Sequence, residues 1–430
     1  MKVFYSIAIF LLLLFPIKGI AHPMPNSVIQ MDIYQQTIQC ELQLPLSELE
    51  LATGFGLDKE GTSGLMQARA KIEEYIRHHF QVKDKNAESW KMAILGMHIT
   101  KAEQTATGMY RELVIKMTLK APIHADARAF SIYYDVIMHQ VITHKALVCI
   151  RQDWETGRTR EDNIQIGSIY VDTSTLKVYP FSVQLEKGNS WEGFKSMVIL
   201  GMKHISEGTD HLMFLLVLLL TALLVPIGRK WGVNSNLDHC FLKILKISIA
   251  FTVGHSLTLI LATLGVVRFP VKPVEIIIAF SILITAIHAI RPVFANKESF
   301  VAAGFGLIHG LAFSAILSEL HLTSWRLAVS LLGFNIGIEL MQLLVILLVM
   351  PWLILISRQS HYYYKLLKNF LAILAGVASI AWMLERILGE ANFISTHLSI
   401  LASHAILFVV FLFLISMCCY TAQYIKRSRR

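Results

Sequence analysis

The sequence predicts a polytopic all-α membrane bundle of about seven transmembrane helices, preceded by a mainly β, sandwich-like extracytoplasmic domain. Three observations carry that expectation. Hydrophobic residues form 54% of the 430-residue chain and charged residues only 16%, too apolar a balance for an ordinary water-soluble protein of this length. Apolar runs of membrane length crowd the C-terminal half, whereas the N-terminal half alternates with a period of two.

Taken in order, Met1-Lys2 leads into an apolar stretch from Val3 to Phe15, and Gly19-Ile20-Ala21 follows as a small-x-small site. This predicts a signal peptide over residues 1–21, with the mature chain starting at His22. Residues 22–195 then read as an exported domain. Alternation over Ser27–Leu44, Lys91–Ile99, Met109–Leu119, Phe130–Val141 and Ala146–Arg151 predicts strands. Leu65, Ala68, Ile72 and Ile76 predict one face of a helix within Gly64–Phe80. Cys40 and Cys149 leave two readings open, a disulfide in an oxidising compartment or two core thiols. The histidines here, His78, His79, His98, His124, His139 and His144, show no metal-ligand spacing. With no nucleophile signature and no phosphate loop, the domain reads as a binding or assembly module that could take a protein partner.

Residues 196–430 predict the spans, at about Val198–Leu224, Ile244–Leu264, Val274–Ile290, Val301–Leu317, Leu327–Ile356, Phe370–Leu388 and Leu398–Tyr420. Roughly 20 helical residues cross about 30 Å of hydrocarbon. The net charge of +9 follows from topology, not from nucleic acid. With the N-terminal domain outside, the inner connections hold Arg229, Lys230, Lys243, Lys246, Arg291, Lys297, Arg358, Lys365, Lys368 and the Lys426-to-Arg430 cluster. The outer ones hold only Arg268, Lys272, Arg326 and Arg386. That is the positive-inside pattern. It predicts a bacterial inner-membrane protein, in contact with lipid, whose C-terminus is cytoplasmic.

Ionisable residues inside spans are costly and mark function. The first span carries His204, Glu207, Asp210 and His211, the second His255, the fourth His309, and the fifth Asn335, Glu339 and Gln342. On a straight helix His204 and His211 lie about 10.5 Å apart along the axis, too far to share one ion. Either His211 therefore binds with a neighbouring carboxylate and other helices, or the helix breaks at Gly208. Gly306, Gly310 and Ser314, and likewise Gly333 and Gly337, predict close helix contacts. Ser281, Thr285 and His288 form a polar stripe of the third span, read as an exit toward the cytoplasm. Imidazole with carboxylate suits Ni²⁺, Co²⁺ or Zn²⁺.

These residues resemble the HupE/UreJ family, in its longer branch with an exported N-terminal domain. Gly201 to Leu216 is similar to the family's histidine-glycine-x-aspartate-histidine signature, and Phe251-Thr252-x-x-His255-Ser256-x-Thr258 to its second motif. Glu275 with Ser281, Gly306-x-x-His309-Gly310, and Gly333-Phe334-Asn335-x-Gly337-x-Glu339-x-x-Gln342 resemble the others. The resemblance implies that His204, Asp210, His211, His255, Glu275, His309, Asn335 and Glu339 handle nickel or cobalt. Ile205 stands where the compact branch has proline, and Glu207 adds a carboxylate. The leading functional expectation is a divalent-metal permease or uptake component. An intramembrane metal-dependent hydrolase and a non-catalytic assembly or sensor protein are the alternatives.

Overall fold

The computed structural model describes residues 24–428, apart from 105–107, 159–162, 234–236, 268, 319–323, 391 and 403–404. The expected signal segment lies outside that range, as do His22 and, in the last span, His404. The chain divides into two compact units, Met1–Gly188 and Asn189–Arg430.

The first unit is mainly β. Strands β1 (Ser27–Ile33), β2 (Thr37–Pro45), β4 (Lys91–Gln104), β5 (Gly108–Lys120), β7 (Lys145–Asp153), β8 (Ile164–Asp172) and β9 (Lys177–Val178) form one sheet in the order β4-β5-β2-β1-β7-β8-β9. A second sheet has the order β10-β6-β3, from Phe181–Gln184, Ala129–Tyr134 and Phe80–Lys83. Ile38, Cys40, Leu42 and Leu44 alternate inward along β2, as a half-buried strand requires. Two helices precede β3, α1 (Leu46–Thr53) and α2 (Leu57–His79). The expected apolar face of α2, Leu65, Ala68, Ile72 and Ile76, is buried in the same core. The strand expected over Phe130–Val141 stops at Tyr134. Beyond it Val136, Ile137 and Met138 are all buried in succession, which no alternating strand allows. A turn instead closes through Val141 N–H to the Ile137 carbonyl.

The cysteine question resolves through register. Cys40 pairs with Met31 and Cys149 with Gln30, on opposite sides of β1. Neighbouring residues of a strand face opposite ways, and strands two apart are separated by about 9–10 Å, beyond the roughly 7 Å limit of a disulfide. Both are free, buried thiols.

A polar knot sits in this core. Ser27 Oγ lies 2.7 Å from His144 Nε2, and Glu48 Oε2 lies 3.9 Å from His144 Nδ1. Burial pushes the His144 imidazole down to about 4. An unfolded histidine titrates near 6.5, so between these values the unfolded chain binds more protons than the folded one. The stability held by neutral His144 is therefore complete above about pH 6.5 and lost as pH falls toward 4, at a cost of about 3 kcal/mol. Hydrogen exchange of β1 and β7 amides in the full-length protein should accelerate over that window. His144→Gln should flatten the acid limb, and an unchanged slope would assign it to other groups.

The second unit is helical: α3 (Ser190–Glu207), α4 (Thr209–Ala222), α5 (Leu237–Thr263), α6 (Val271–Ile290), α7 (Glu298–Ser318), α8 (Ser324–Gln359), α9 (His361–Leu388), α10 (Phe393–Ala402) and α11 (Ala405–Ser428). A short hairpin, β11 (Leu224–Ile227) with β12 (Lys230–Val233), joins α4 to α5. Among the described residues four helices are long and apolar enough to cross a membrane, within α5, α6, α8 and α9. They become five if α3 and α4, bent by 71°, count as one broken span. The places expected for the fourth and seventh spans hold shorter apolar stretches, Glu298–Ala312 and Leu407–Thr421.

Candidate metal centre

The break in the first span builds the centre. Gly208 ends α3 and opens α4, its N–H donating to the His204 carbonyl and its own carbonyl accepting from Leu212 N–H. A Cβ here would press on that His204 carbonyl and on His211 Nδ1, each at 2.7 Å, so only glycine fits. Asp210 in the first turn of α4 suits the positive end of the helix. Its Oδ1 accepts from both the backbone N–H and the Nδ1–H of His211, each at 2.9 Å. The 71° turn brings the His204 and His211 rings to 4.7 Å between centroids, although a straight helix would hold them apart.

Glycine crossings supply the other histidines. A methyl at Gly306 or Gly310 of α7 would collide with the Phe251 or His255 carbonyl of α5, and one at Gly254 with the Ala303 carbonyl. These two helices therefore touch backbone to backbone, which sets His255 and His309 beside each other's helix. Gly201 of α3 meets the Phe334 carbonyl of α8, and Gly337 meets the Val198 carbonyl, in the same way. Two overlapping groups result, His204 with His211 and His255, and Asp210 with His211 and His309. Within each group one candidate ligand atom per residue lies within 4.8 Å of the others. His211 belongs to both. It is 7% exposed, His309 1% and His255 0%.

Tautomers decide what the groups can bind. A carboxylate only accepts, so Asp210 keeps the proton on His211 Nδ1 and leaves a lone pair on Nε2. Ser281 Oγ donates to the Ile278 carbonyl at 2.7 Å, so toward His309 Nε2, 3.4 Å away, it can only accept. His309 thus bears its proton on Nε2 and a lone pair on Nδ1. The two bare nitrogens, His211 Nε2 and His309 Nδ1, lie 3.3 Å apart. With metal–nitrogen bonds near 2.1 Å, ligands subtend about 3.0 Å at a right angle and about 3.4 Å at the tetrahedral angle. The gap has the bite of a single cation. His255 adds an independent sign, for both of its ring nitrogens are buried without a hydrogen-bond partner. Orphaned buried nitrogens are costly unless a ligand satisfies them. Imidazole and carboxylate donors fit a divalent transition ion.

The other expected residues divide. Asn335 Oδ1 accepts from Ser256 Oγ at 2.6 Å and Glu339 Oε2 from Thr252 Oγ1 at 2.8 Å, while Gln342 Oε1 accepts from Ser248 Oγ at 2.7 Å. They form a polar ladder between α8 and α5, adjoining the histidines. Glu207 is outside the centre, exposed and 3.7 Å from Lys203. Glu275 also lies outside it, paired with Arg386 at 3.4 Å.

The expected exit stripe of α6 is buried, but its groups serve the fold. Thr285 Oγ1 donates to the Ser281 carbonyl, and His288 Nδ1 accepts from the Val293 and Phe294 amides. Only Ser281 reaches the centre. Sequence reasoning missed Ser248 and the aromatic wall. Phe251 lies 5.2 Å and Phe214 5.9 Å from the His309 ring, and Phe334 lies 5.5 Å from His204. The i, i+4 hydroxyl stripe Ser248, Thr252, Ser256 is the signal that would have found the ladder.

Helices long and apolar enough to span a membrane, with buried histidine and carboxylate groups placed to hold a metal ion, are the features of a membrane protein that handles transition metals. Residues 182–386 match the family model described as HupE / UreJ protein, a family associated with nickel and cobalt transport. Comparison with curated proteins and with solved structures returns no match.

Proposed function

We propose that the chain is an inward permease for a divalent transition ion, nickel, cobalt or zinc, bound in passage by His211 and His309 with Asp210, His204 and His255. The facing lone pairs of His211 and His309, 3.3 Å apart, carry this reading. In this reading the helical unit crosses the bacterial inner membrane seven times, with α3 and α4 as one broken span. Residues 1–21 are a cleaved signal, the β unit faces outward and the C-terminus is cytoplasmic. A broken helix at membrane depth is a common device for ion sites in transporters.

The route onward differs from the α6 stripe. A cavity of about 20 Å³ runs from His211 past Phe214, Ile247 and Phe251 to Ser248 and Gln342. That is room for about one water. Ser248 and Gln342, which line it, lead through hydrogen bonds of Thr252 to Glu339. An ion leaving His211 there exchanges imidazole for oxygen ligands. The membrane potential favours the step, since a dication moving inward through 100 mV gains about 4.6 kcal/mol.

Purified protein in proteoliposomes should take up Ni²⁺, Co²⁺ or Zn²⁺ when the interior is negative. Glu339→Gln should retain the bound ion yet slow uptake by about 10-fold or more, since removing this charge weakens the exit ligands and leaves the histidines intact. Uptake by Glu339→Gln at the wild-type rate would remove the ladder from the path. A wild-type protein that holds its ion through repeated dilution without flux would point to a hydrolase centre instead.

A further inference from the structure

We propose that the hairpin of β11 and β12 is a strap across the inner mouth of the ion path, held to α6 by Trp231 and released when the ion leaves. The inference deepens the permease reading and rests on it, for in that reading the hairpin, the start of α5 and the end of α6 all face the cytoplasm. The cavity that leads from His211 to Ser248 approaches the start of α5 no closer than Ile244. Leu215, Leu219 and Ile244 line it and also belong to an apolar cluster that continues through Leu223 and Cys240. Cys240 precedes Ser248 by about 12 Å along α5 and is 1% exposed. A hydrophobic constriction blocks ions while it is dry, so conduction requires this cluster to part and admit water. Trp231 of β12 packs against it.

Polar contacts hold the strap as well as packing. A helix leaves its last carbonyls without internal partners, and two of those at the end of α6 are taken from outside it. Trp231 Nε1 donates to the His288 carbonyl at 3.0 Å, and Lys368 Nζ of α9 donates to the Ala289 carbonyl. Trp231 also stands edge-on to the His288 ring, 5.1 Å between centroids, with Lys243 Nζ 5.8 Å from the centre of its own ring. The Lys368 bond joins two long helices of the bundle. The Trp231 bond ties only a four-residue strand, next to a turn at Gly228 and Arg229 that is exposed. In a wetted mouth the His288 carbonyl exchanges Trp231 for water, so release costs little.

A pair beside the strap is set for two arrangements. His288 Nδ1 accepts from the Val293 and Phe294 amides, so its ring carries the proton on Nε2. That Nε2 is buried with no hydrogen-bond partner and lies 3.9 Å from Glu298 Oε1 of α7. The same oxygen takes Lys243 Nζ of α5 at 2.8 Å. A buried donor left unmade is unfavourable, and a shift of about 1 Å brings this one to the length of a charge-assisted bond, about 2.7–2.9 Å. The end of α6 and the start of α7 thus have a second position close at hand, in which Glu298 holds His288 as well as Lys243. Lys243 is three residues from Cys240, so the exchange reaches the cluster that closes the mouth.

The test is the reactivity of native Cys240 in full-length protein held in lipid nanodiscs. The reagent is a cationic methanethiosulfonate, which needs a water-filled route, and the Cys240 peptide is read by mass spectrometry. In the unmutated protein Cys240 should react slowly. Trp231→Ala should speed the reaction at least about 10-fold, and Trp231→Phe, which keeps a ring and loses the bond, about 3-fold. Both should retain Ni²⁺ at the histidine centre, which shows the helical unit intact. Arg229→Gln, in the exposed turn, should react as the unmutated protein does. To cover a variant that fails to fold, Ni²⁺ added to unmutated protein should raise the rate at least about 3-fold, and should leave it unchanged in His211→Ala. Cys240 as slow in Trp231→Ala as in the unmutated protein, or a rate indifferent to Ni²⁺, overturns the strap even where proteoliposomes take up the ion. Absence of uptake by unmutated protein, with Cys240 still released in Trp231→Ala, overturns the permease reading instead and leaves the hairpin a cover over a closed bundle.

Discussion

His211→Ala is expected to strip the membrane centre of its ion and abolish uptake, with an affinity loss of about 100-fold or more. No other single side chain should match it. His211 is the member common to both candidate ligand groups. Its Nδ1 ties Asp210 into place and its Nε2 forms one side of the 3.3 Å bite with His309. Removing it deletes a ligand and unhitches the carboxylate together. Even outer partners of a metal ligand change affinity by about 10–100-fold, and a direct ligand should cost more. The measurement is ion content and uptake of the full-length protein. Glu207→Gln is the control, because Glu207 is 64% exposed beside Lys203 and belongs to neither candidate ligand group. If His211→Ala keeps its ion while Glu207→Gln loses it, the centre has been built around the wrong residues.

The contrast between those two residues shows what the sequence could and could not convey. Intramembrane histidines announce themselves because an unpaired imidazole in hydrocarbon is costly, so His211, His255 and His309 were legible one by one. Small residues at intervals of four likewise announced the crossings at Gly306 and Gly310. Glu207 and Glu275 share the same composition signal, yet they sit where a lysine or arginine can reach them. A sequence gives the depth of a residue along a helix but not the neighbour it meets. The break at Gly208 was readable only as an alternative. On a straight axis His204 belongs a full two turns from His211, and the 71° bend removes that separation. The α6 stripe failed for a different reason. Ser281 and Thr285 can each satisfy their hydroxyls on carbonyls of their own helix, so a periodic polar face need not line a path. In the β unit, inward alternation located β2 and β5. The turn carrying Ile137 went unseen, because Val136 and Ile137 are β-branched and continue the apolar composition of β6, and their burial in succession is known only from the fold.

Gly306→Val should disable the centre without touching any ligand. The α5–α7 crossing has no side chain to yield at this point, for the new Cβ would meet the backbone carbonyl of Phe251. Backbone cannot rotate away as a side chain can, so the helices must separate. Overpacking of this kind costs about 1–3 kcal/mol. The functional loss is steeper, because His309 lies three residues along the displaced helix. A shift of about 1 Å widens the 3.3 Å gap to His211 past the reach of one ion with bonds near 2.1 Å. Ion content and uptake should both fall at least about 10-fold while the protein still inserts in the membrane. Gly304, two residues earlier on the same helix, is the matched comparison, since nothing lies within 4 Å of the Cβ it would gain. Gly304→Val carries the same change in helix propensity and should transport at close to the wild-type rate. Equal losses at both positions would mean that valine acts through the helix itself, and the backbone crossing would no longer explain how the histidines are held together.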